Sequence, residues 1–108
     1  LMRAKQPFQY VITNLPEEPP VFSFIRRHAP KDWGTGKRLE KNLFGRYNMG
    51  AGLALILRER DLPKLLEIWE KLPQRLSMLG AGYVDTGRKQ VHILPRKIKF
   101  SGRELAIR

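Results

Sequence analysis

Tyr47-Asn48-Met49-Gly50-Ala51-Gly52-Leu53-Ala54-Leu55-Ile56-Leu57 is the stretch on which the reading of this chain turns. Two glycines one residue apart, at the mouth of an apolar run, remove the Cβ atoms that would hold a ligand or a second backbone away. Leu53 to Leu57 shows no apolar–polar alternation, which is the pattern of a strand covered on both faces. Downstream, Leu62, Leu65, Leu66, Trp69 and Leu72 recur at helical spacing, with Asp61 as the expected N-cap and Pro73 ending the pattern. A second glycine pair, Gly80 and Gly82, then lies inside the extended segment Leu76 to Val84. The order is glycine turn, strand, helix, strand. It predicts an α+β fold of the layered α/β kind, a mixed β-sheet covered by helices.

The segments on either side fit that plan. Phe8 to Ile12 is rich in β-formers and bounded by Pro7 and Asn14, so it reads as a short strand. Thr13 to Pro20 is a loop, in which Glu17 and Glu18 suit the positive end of the helix that follows. Val21, Phe22, Phe24 and Ile25 give that helix an apolar face, and Pro30 stops it just after His28. Lys31 to Gly36 is a breaker-rich connection. Lys37 to Phe44 is a second helix, which Gly45 is expected to terminate. Leu76 to Val84 and Gln90 to Leu94 read as strands joined by a hairpin-like turn at Asp85-Thr86-Gly87-Arg88. Ile98 to Ile107 reads as a final hairpin about Ser101-Gly102.

With 108 residues the chain is one domain by length, 1–108, able to bury a modest core. At 42% hydrophobic and 29% charged it is neither disordered nor membranous in composition, and no apolar run approaches the roughly 20 residues of a spanning helix. It has no cysteine, which removes disulfides and thiolate metal sites and fits a reducing, cytoplasmic setting. The net charge of +11 is high for a small-molecule enzyme domain. Much of it lies between Arg88 and Arg108, and residues 95–108 form a basic C-terminal extension. Such a segment attracts phosphates, whether on a nucleotide or on a nucleic-acid backbone, and equally it describes a solvated basic face.

Y-N-M-G-A-G-L-A-L-I-L resembles the "F-N-M-G-x-G-M" turn and strand of phosphoribosylformylglycinamidine cyclo-ligase, also called aminoimidazole ribonucleotide synthetase. Pro20-Val21-Phe22-Ser23-Phe24-Ile25 is similar to the "P-x-F-x-x-I" helix that precedes it in that family, and Leu79 to Val84 sits where the family has "I-G-x-V". From about Tyr10 to Leu94 the segments follow the family's order and spacing. The resemblance implies the later part of a C-terminal domain, with the glycine turn lining the cleft that holds a phosphorylated substrate. It also implies an N-terminal domain as partner, carrying ATP and magnesium, and a homodimer of the kind common in that superfamily. The family's reaction is the ATP-dependent closure of formylglycinamidine ribonucleotide to aminoimidazole ribonucleotide. The family's "T-G-G-G" segment has no counterpart here, because Gln6-Pro7-Phe8-Gln9 stands near its position. On this reading the isolated chain neither hydrolyses ATP nor makes product.

The candidate substrate-binding residues are therefore Asn48, Met49, Gly50 and Gly52, with Arg46 beside them as a planar donor for phosphate. Against that stand two plainer roles: the glycines permitting close packing with Asn48 bonding its own turn, and Arg46 being an ordinary surface arginine. No catalytic residue and no metal ligand is assigned. Gly34-Thr35-Gly36-Lys37 lacks the spacing of a phosphate loop, and Gly50-Ala51-Gly52 lacks the third glycine of a dinucleotide fingerprint. His28 and His92 are far apart without a cysteine to complete a zinc set. Trp69 reads as a core residue. Trp33, between Lys31 and Lys37, is the aromatic whose setting suits a nucleic-acid contact, although packing explains it too. The rival readings are a basic nucleic-acid-binding module and a non-catalytic scaffold or dimerisation domain.

Overall fold

The computed structural model describes residues 6–72 and 82–102. Its centre is a four-stranded mixed sheet of β1 (Phe8–Ile12), β2 (Gly82–Thr86), β3 (Gln90–Ile93) and β4 (Ile98–Ser101), in the order β2-β1-β3-β4. Three α-helices lie between β1 and β2 in the chain: α1 (Val21–Arg27), α2 (Gly36–Arg46) and α3 (Leu62–Glu70). The α+β class and the mixed sheet expected from sequence are what forms.

Register explains the core. β1 pairs parallel with β3, Tyr10 opposite Val91, and β3 pairs antiparallel with β4, Val91 opposite Phe100 and Ile93 opposite Ile98. Residues directly opposite share a face, so Tyr10, Val91, Ile93, Ile98 and Phe100 form one buried apolar layer. Phe44 of α2 packs against that layer and also against a second cluster of Phe22, Leu43 and Met49. The two helices are thereby fastened to the sheet through one ring. The reverse face carries Gln9 and Gln90, whose side-chain amides hydrogen-bond to each other, and His92, whose Nε2 is buried without a hydrogen-bond partner.

Several sequence expectations change. Leu53 to Leu57 is not a strand in this sheet. β1 already has β2 on one side and β3 on the other, and the run is exposed, from 79% at Leu53 to 39% at Leu57. Asp85 to Arg88 is not a hairpin turn, because β1 lies between β2 and β3; the connection passes over the start of β1, with Gly87 N–H donating to the Pro7 carbonyl at 3.1 Å. The hairpin at the sheet edge instead joins β3 to β4 through Leu94–Arg96 and a left-handed Lys97. Any return arm beyond Ser101-Gly102 falls outside the described residues, as does the segment 73–81 that holds the first part of the predicted Leu76 to Val84 strand. Gly45 does not end α2. The helix runs on to Arg46, and a glycine there sits against the Phe100 ring, whose nearest carbon is 3.4 Å from where a Cβ would lie. Asp61 occupies the N-cap position of α3 but has helical dihedrals and makes no side-chain cap bond, since a 3-10 turn over Glu59–Asp61 leads into the helix.

Glu17 and Glu18 likewise do not serve α1 as dipole partners; its first turn contains no acid. Trp69 and Leu65 are half-buried and α3 buries no residue fully, so its stripe lies outside the core. Among the described residues no helix is long and apolar enough to cross a membrane.

Candidate functional site

α2 delivers the glycine turn. The helix ends at Arg46, Tyr47 is extended, and Asn48 to Ala51 form a tight turn closed by Ala51 N–H donating to the Asn48 carbonyl at 3.0 Å. Both central residues have positive φ, 51° at Met49 and 96° at Gly50, as a type I′ turn requires. Glycine takes that conformation freely, but methionine does not, and its strain must be offset elsewhere. The offset is burial. The Met49 side chain, 4% exposed, packs with Phe22 and Leu43. Met49 thus pins the turn to the helices rather than reaching outward.

The two glycines have different surroundings. A Cβ on Gly50 would lie 2.8 Å from Pro19 Cδ and 3.5 Å from the Glu17 carbonyl oxygen, so Gly50 exists to let the Glu17–Pro19 segment lie on the turn. A Cβ on Gly52 would meet nothing within 4 Å. Asn48 Oδ1 accepts the Gly50 N–H at 3.3 Å, which is the local role weighed for it, and its amide nitrogen is left for another acceptor. The open, ligand-accessible side of the turn is therefore the side of Asn48 and Gly52.

Arg46 borders that side. Its guanidinium carbon sits 4.6 Å from the centroid of the Trp33 ring, and Tyr47 leans on both Trp33 and Phe22, at 6.5 and 5.8 Å between centroids. Stacking holds the plane of the guanidinium while leaving edge N–H groups for an anion. Trp33 packs against the Phe22–Leu43–Met49 cluster, and its carbonyl accepts Asn42 Nδ2 at 2.9 Å. Arg46, Asn48, Gly50 and Gly52 are thus all exposed, Arg46 stacked on Trp33, whereas Met49 is buried.

Sequence reasoning missed the ion network behind this turn. Arg26 of α1 grips Glu18 with both terminal nitrogens, at 2.8 and 2.9 Å, and Glu40 of α2 through Nε at 2.5 Å; Arg96 adds a longer contact to Glu18 at 3.5 Å. The hydrogen bonds from Arg26 hold the Glu18 carboxyl below the ordinary carboxylate range, burial opposes them, and the positive charges of Arg26 and Arg96 reinforce them. Arg26 in turn is pushed above its ordinary range by its bonds to Glu18 and Glu40. Since Glu18 adjoins Pro19, this network keeps Pro19 seated on Gly50. No periodicity announces it, because its members come from a loop, two helices and a strand connection.

What the fold and site define is a small α+β domain with a rigid, glycine-bearing corner next to a stacked arginine. Over part of its length the chain is related at low identity to phosphoribosylformylglycinamidine cyclo-ligase. It is 34% identical over 80 residues to that protein from Methanocaldococcus jannaschii, covering 74% of this chain and 21% of the relative. It is 31% identical over 62 residues to that of Bacillus velezensis, covering 57% of this chain and 16% of the relative. The chain spans about a fifth or less of the length of these curated relatives. No protein-family model matches it, and no solved structure matches it.

Proposed function

We propose that this chain forms one wall of the substrate cleft of a cyclo-ligase-related protein of purine biosynthesis. The observation that carries the reading is the likeness in sequence to two cyclo-ligases, combined with open space at Gly52 and an exposed Arg46 stacked on Trp33. On this reading Arg46 meets the substrate phosphate, Asn48 offers its amide, and the lack of a Cβ at Gly52 admits the substrate to the backbone. Met49 and Gly50 fix the turn. The ring closure and its ATP and magnesium requirement belong to an N-terminal domain. Among the described residues no three His, Cys, Asp or Glu side chains gather where a metal ion could be held.

Titration calorimetry of the 108-residue chain with formylglycinamidine ribonucleotide tests the assignment. The expected result is weak binding that Arg46→Ala reduces about tenfold, the value of one charge-assisted contact, with no ATP hydrolysis by the chain. Binding that is indifferent to Arg46 and to Gly52→Val removes these residues from the cleft, and turnover by the isolated chain refutes the division of labour.

One observation supports a second reading. Glu18 and Glu40 are consumed by Arg26, while Lys31, Lys37, Arg38, Lys97 and Lys99 stay exposed, leaving a cationic surface suited to nucleic acid. A gel shift that survives about 150 mM salt and falls steeply above it would favour that reading.

A further inference from the structure

Helix α2 carries Arg38, Asn42 and Arg46 at intervals of four residues, so their side chains share one face of the helix. All three grip the same short loop, the 3-10 turn Lys31–Trp33 and the Gly34 that follows it. Arg38 donates from Nη2 to the Asp32 carbonyl at 3.3 Å, and its stem fills the space beside Gly34, where a Cβ would stand 2.6 Å from Cδ. Gly34 of the discounted Gly34-Thr35-Gly36-Lys37 motif therefore serves to admit Arg38. Asn42 donates from Nδ2 to the Trp33 carbonyl at 2.9 Å, while the Trp33 N–H donates to the Pro30 carbonyl at 3.0 Å. Trp33 is thus tied at both of its backbone groups, and its ring packs on the Phe22–Leu43–Met49 cluster while the Arg46 guanidinium sits over it.

Arg46 differs from the arginines that hold the fold together. Arg26 and Arg96 are engaged with Glu18, and Arg38 with a carbonyl, but Arg46 meets an aromatic ring and no acceptor among the described residues. A guanidinium held over a ring keeps its N–H donors for acceptors at its edge, and two parallel N–H groups match two oxygens of one phosphate. A side chain already held in place needs little further ordering when the anion arrives. Lysine would supply the charge but neither the stack nor the fork. The chain's net charge of +11 favours a doubly charged phosphate over a carboxylate.

We infer that Trp33 and Asn42 are positioning residues that hold Arg46 as a preformed fork for a phosphate monoester, so that the site selects by guanidinium shape rather than by charge alone. The inference rests on the proposed function only in taking that phosphate to be the substrate's. Titration of the 108-residue chain with inorganic phosphate, followed by backbone amide shifts around Arg46 in nitrogen-15 NMR, tests it. The wild type should bind phosphate in the millimolar range, acetate more weakly, and chloride at matched ionic strength without a shift. Arg46→Lys should weaken phosphate binding about tenfold although the charge is kept. Trp33→Leu should weaken it about as much, and Trp33→Phe, which keeps a ring beneath the guanidinium, should restore most of the loss. In the Trp33→Leu protein, Arg46→Lys should make little further difference, a coupling that a merely structural tryptophan does not produce. If Trp33→Leu does not fold, Asn42→Ala takes its place in the same cycle. Absence of phosphate binding, acetate binding as tight as phosphate, full binding by Arg46→Lys, or additive losses in the cycle each overturns the inference. Formylglycinamidine ribonucleotide binding that is lost in Arg46→Ala but unchanged in Arg46→Lys and in the positioning variants overturns it while leaving the proposed function standing. Coupled phosphate binding without binding of the ribonucleotide does the reverse.

Discussion

The sheet with α1 and α2, and the segment 53–72, are built from similarly apolar sequence yet differ in what that sequence achieves. In the first, Val91 of β3 and Ile98 and Phe100 of β4 alternate with polar neighbours and find cover from Phe44, Tyr10 of β1 joins them while its neighbour Val11 is buried on the reverse face, and Leu43 of α2 is wholly buried. In the second, Leu53, Leu55, Ile56 and Leu57 run together and stay in contact with solvent. Alternation gives a strand one side to bury, which one helix layer can cover. An unbroken apolar run demands cover on both sides, and Leu53 to Leu57, paired with no strand among the described residues, does not receive it there. Hydrophobicity alone therefore does not identify a core; the number of faces it asks to be covered does.

The sharpest test of that contrast is a matched pair of truncations. Leu43→Ala should cost about 2–5 kcal/mol through the cavity it leaves. Leu53→Ala should change stability by less than about 0.5 kcal/mol at low protein concentration. Urea unfolding followed by tryptophan fluorescence checks both, and equal losses would erase the distinction between the regions. The two glycines offer the next contrast. Gly50→Ala meets Pro19 and a left-handed backbone, for about 1–3 kcal/mol of destabilisation, whereas Gly52→Ala enters open space and should lie within about 0.5 kcal/mol of wild type.

A smaller effect comes from the ion network. Glu18→Gln should lower stability by about 1–2 kcal/mol at pH 7, because it weakens charge-assisted bonds to a partly buried arginine. The sign with pH follows from Glu18's lowered value: its contribution is complete above the unfolded carboxyl's value near 4.5 and disappears as the pH falls through the folded value. Wild type and Glu18→Gln should therefore begin to converge in thermal melts as the pH falls below 4.5 and meet once it has passed the folded value. Divergence that grows toward acid would reverse the assignment. A smaller loss than at Glu18 is expected at Arg46→Ala, about 0.5–1 kcal/mol from its exposed stacking on Trp33.

Local pattern disclosed local structure well. The Phe22–Ile25 face, the Leu62–Trp69 stripe and the β-formers of Phe8 to Ile12 each formed the predicted element, because helix and strand periodicity are fixed by side-chain direction. Strand neighbours were not legible. β2 and β3 are joined by a short connection, yet β1 lies between them, and nothing in Asp85 to Arg88 reveals a strand arriving from the far end of the sequence. The glycine turn was recognisable as a turn, but the unlike surroundings of Gly50 and Gly52 depend on Pro19, a residue that only the folded chain brings close. The ion network was illegible for the same reason.

The parallel pairing of β1 with β3 also governs when this protein can fold during its own synthesis. Tyr10 is translated before its neighbour Val91, and all three helices come between them. Until Val91 is made, the strand at the middle of the sheet lacks its parallel neighbour, so Phe8, Tyr10 and Ile12 wait for that pairing while the three helices are made. A chaperone that holds the nascent β1 segment should therefore raise the yield of native protein more than one that acts after release.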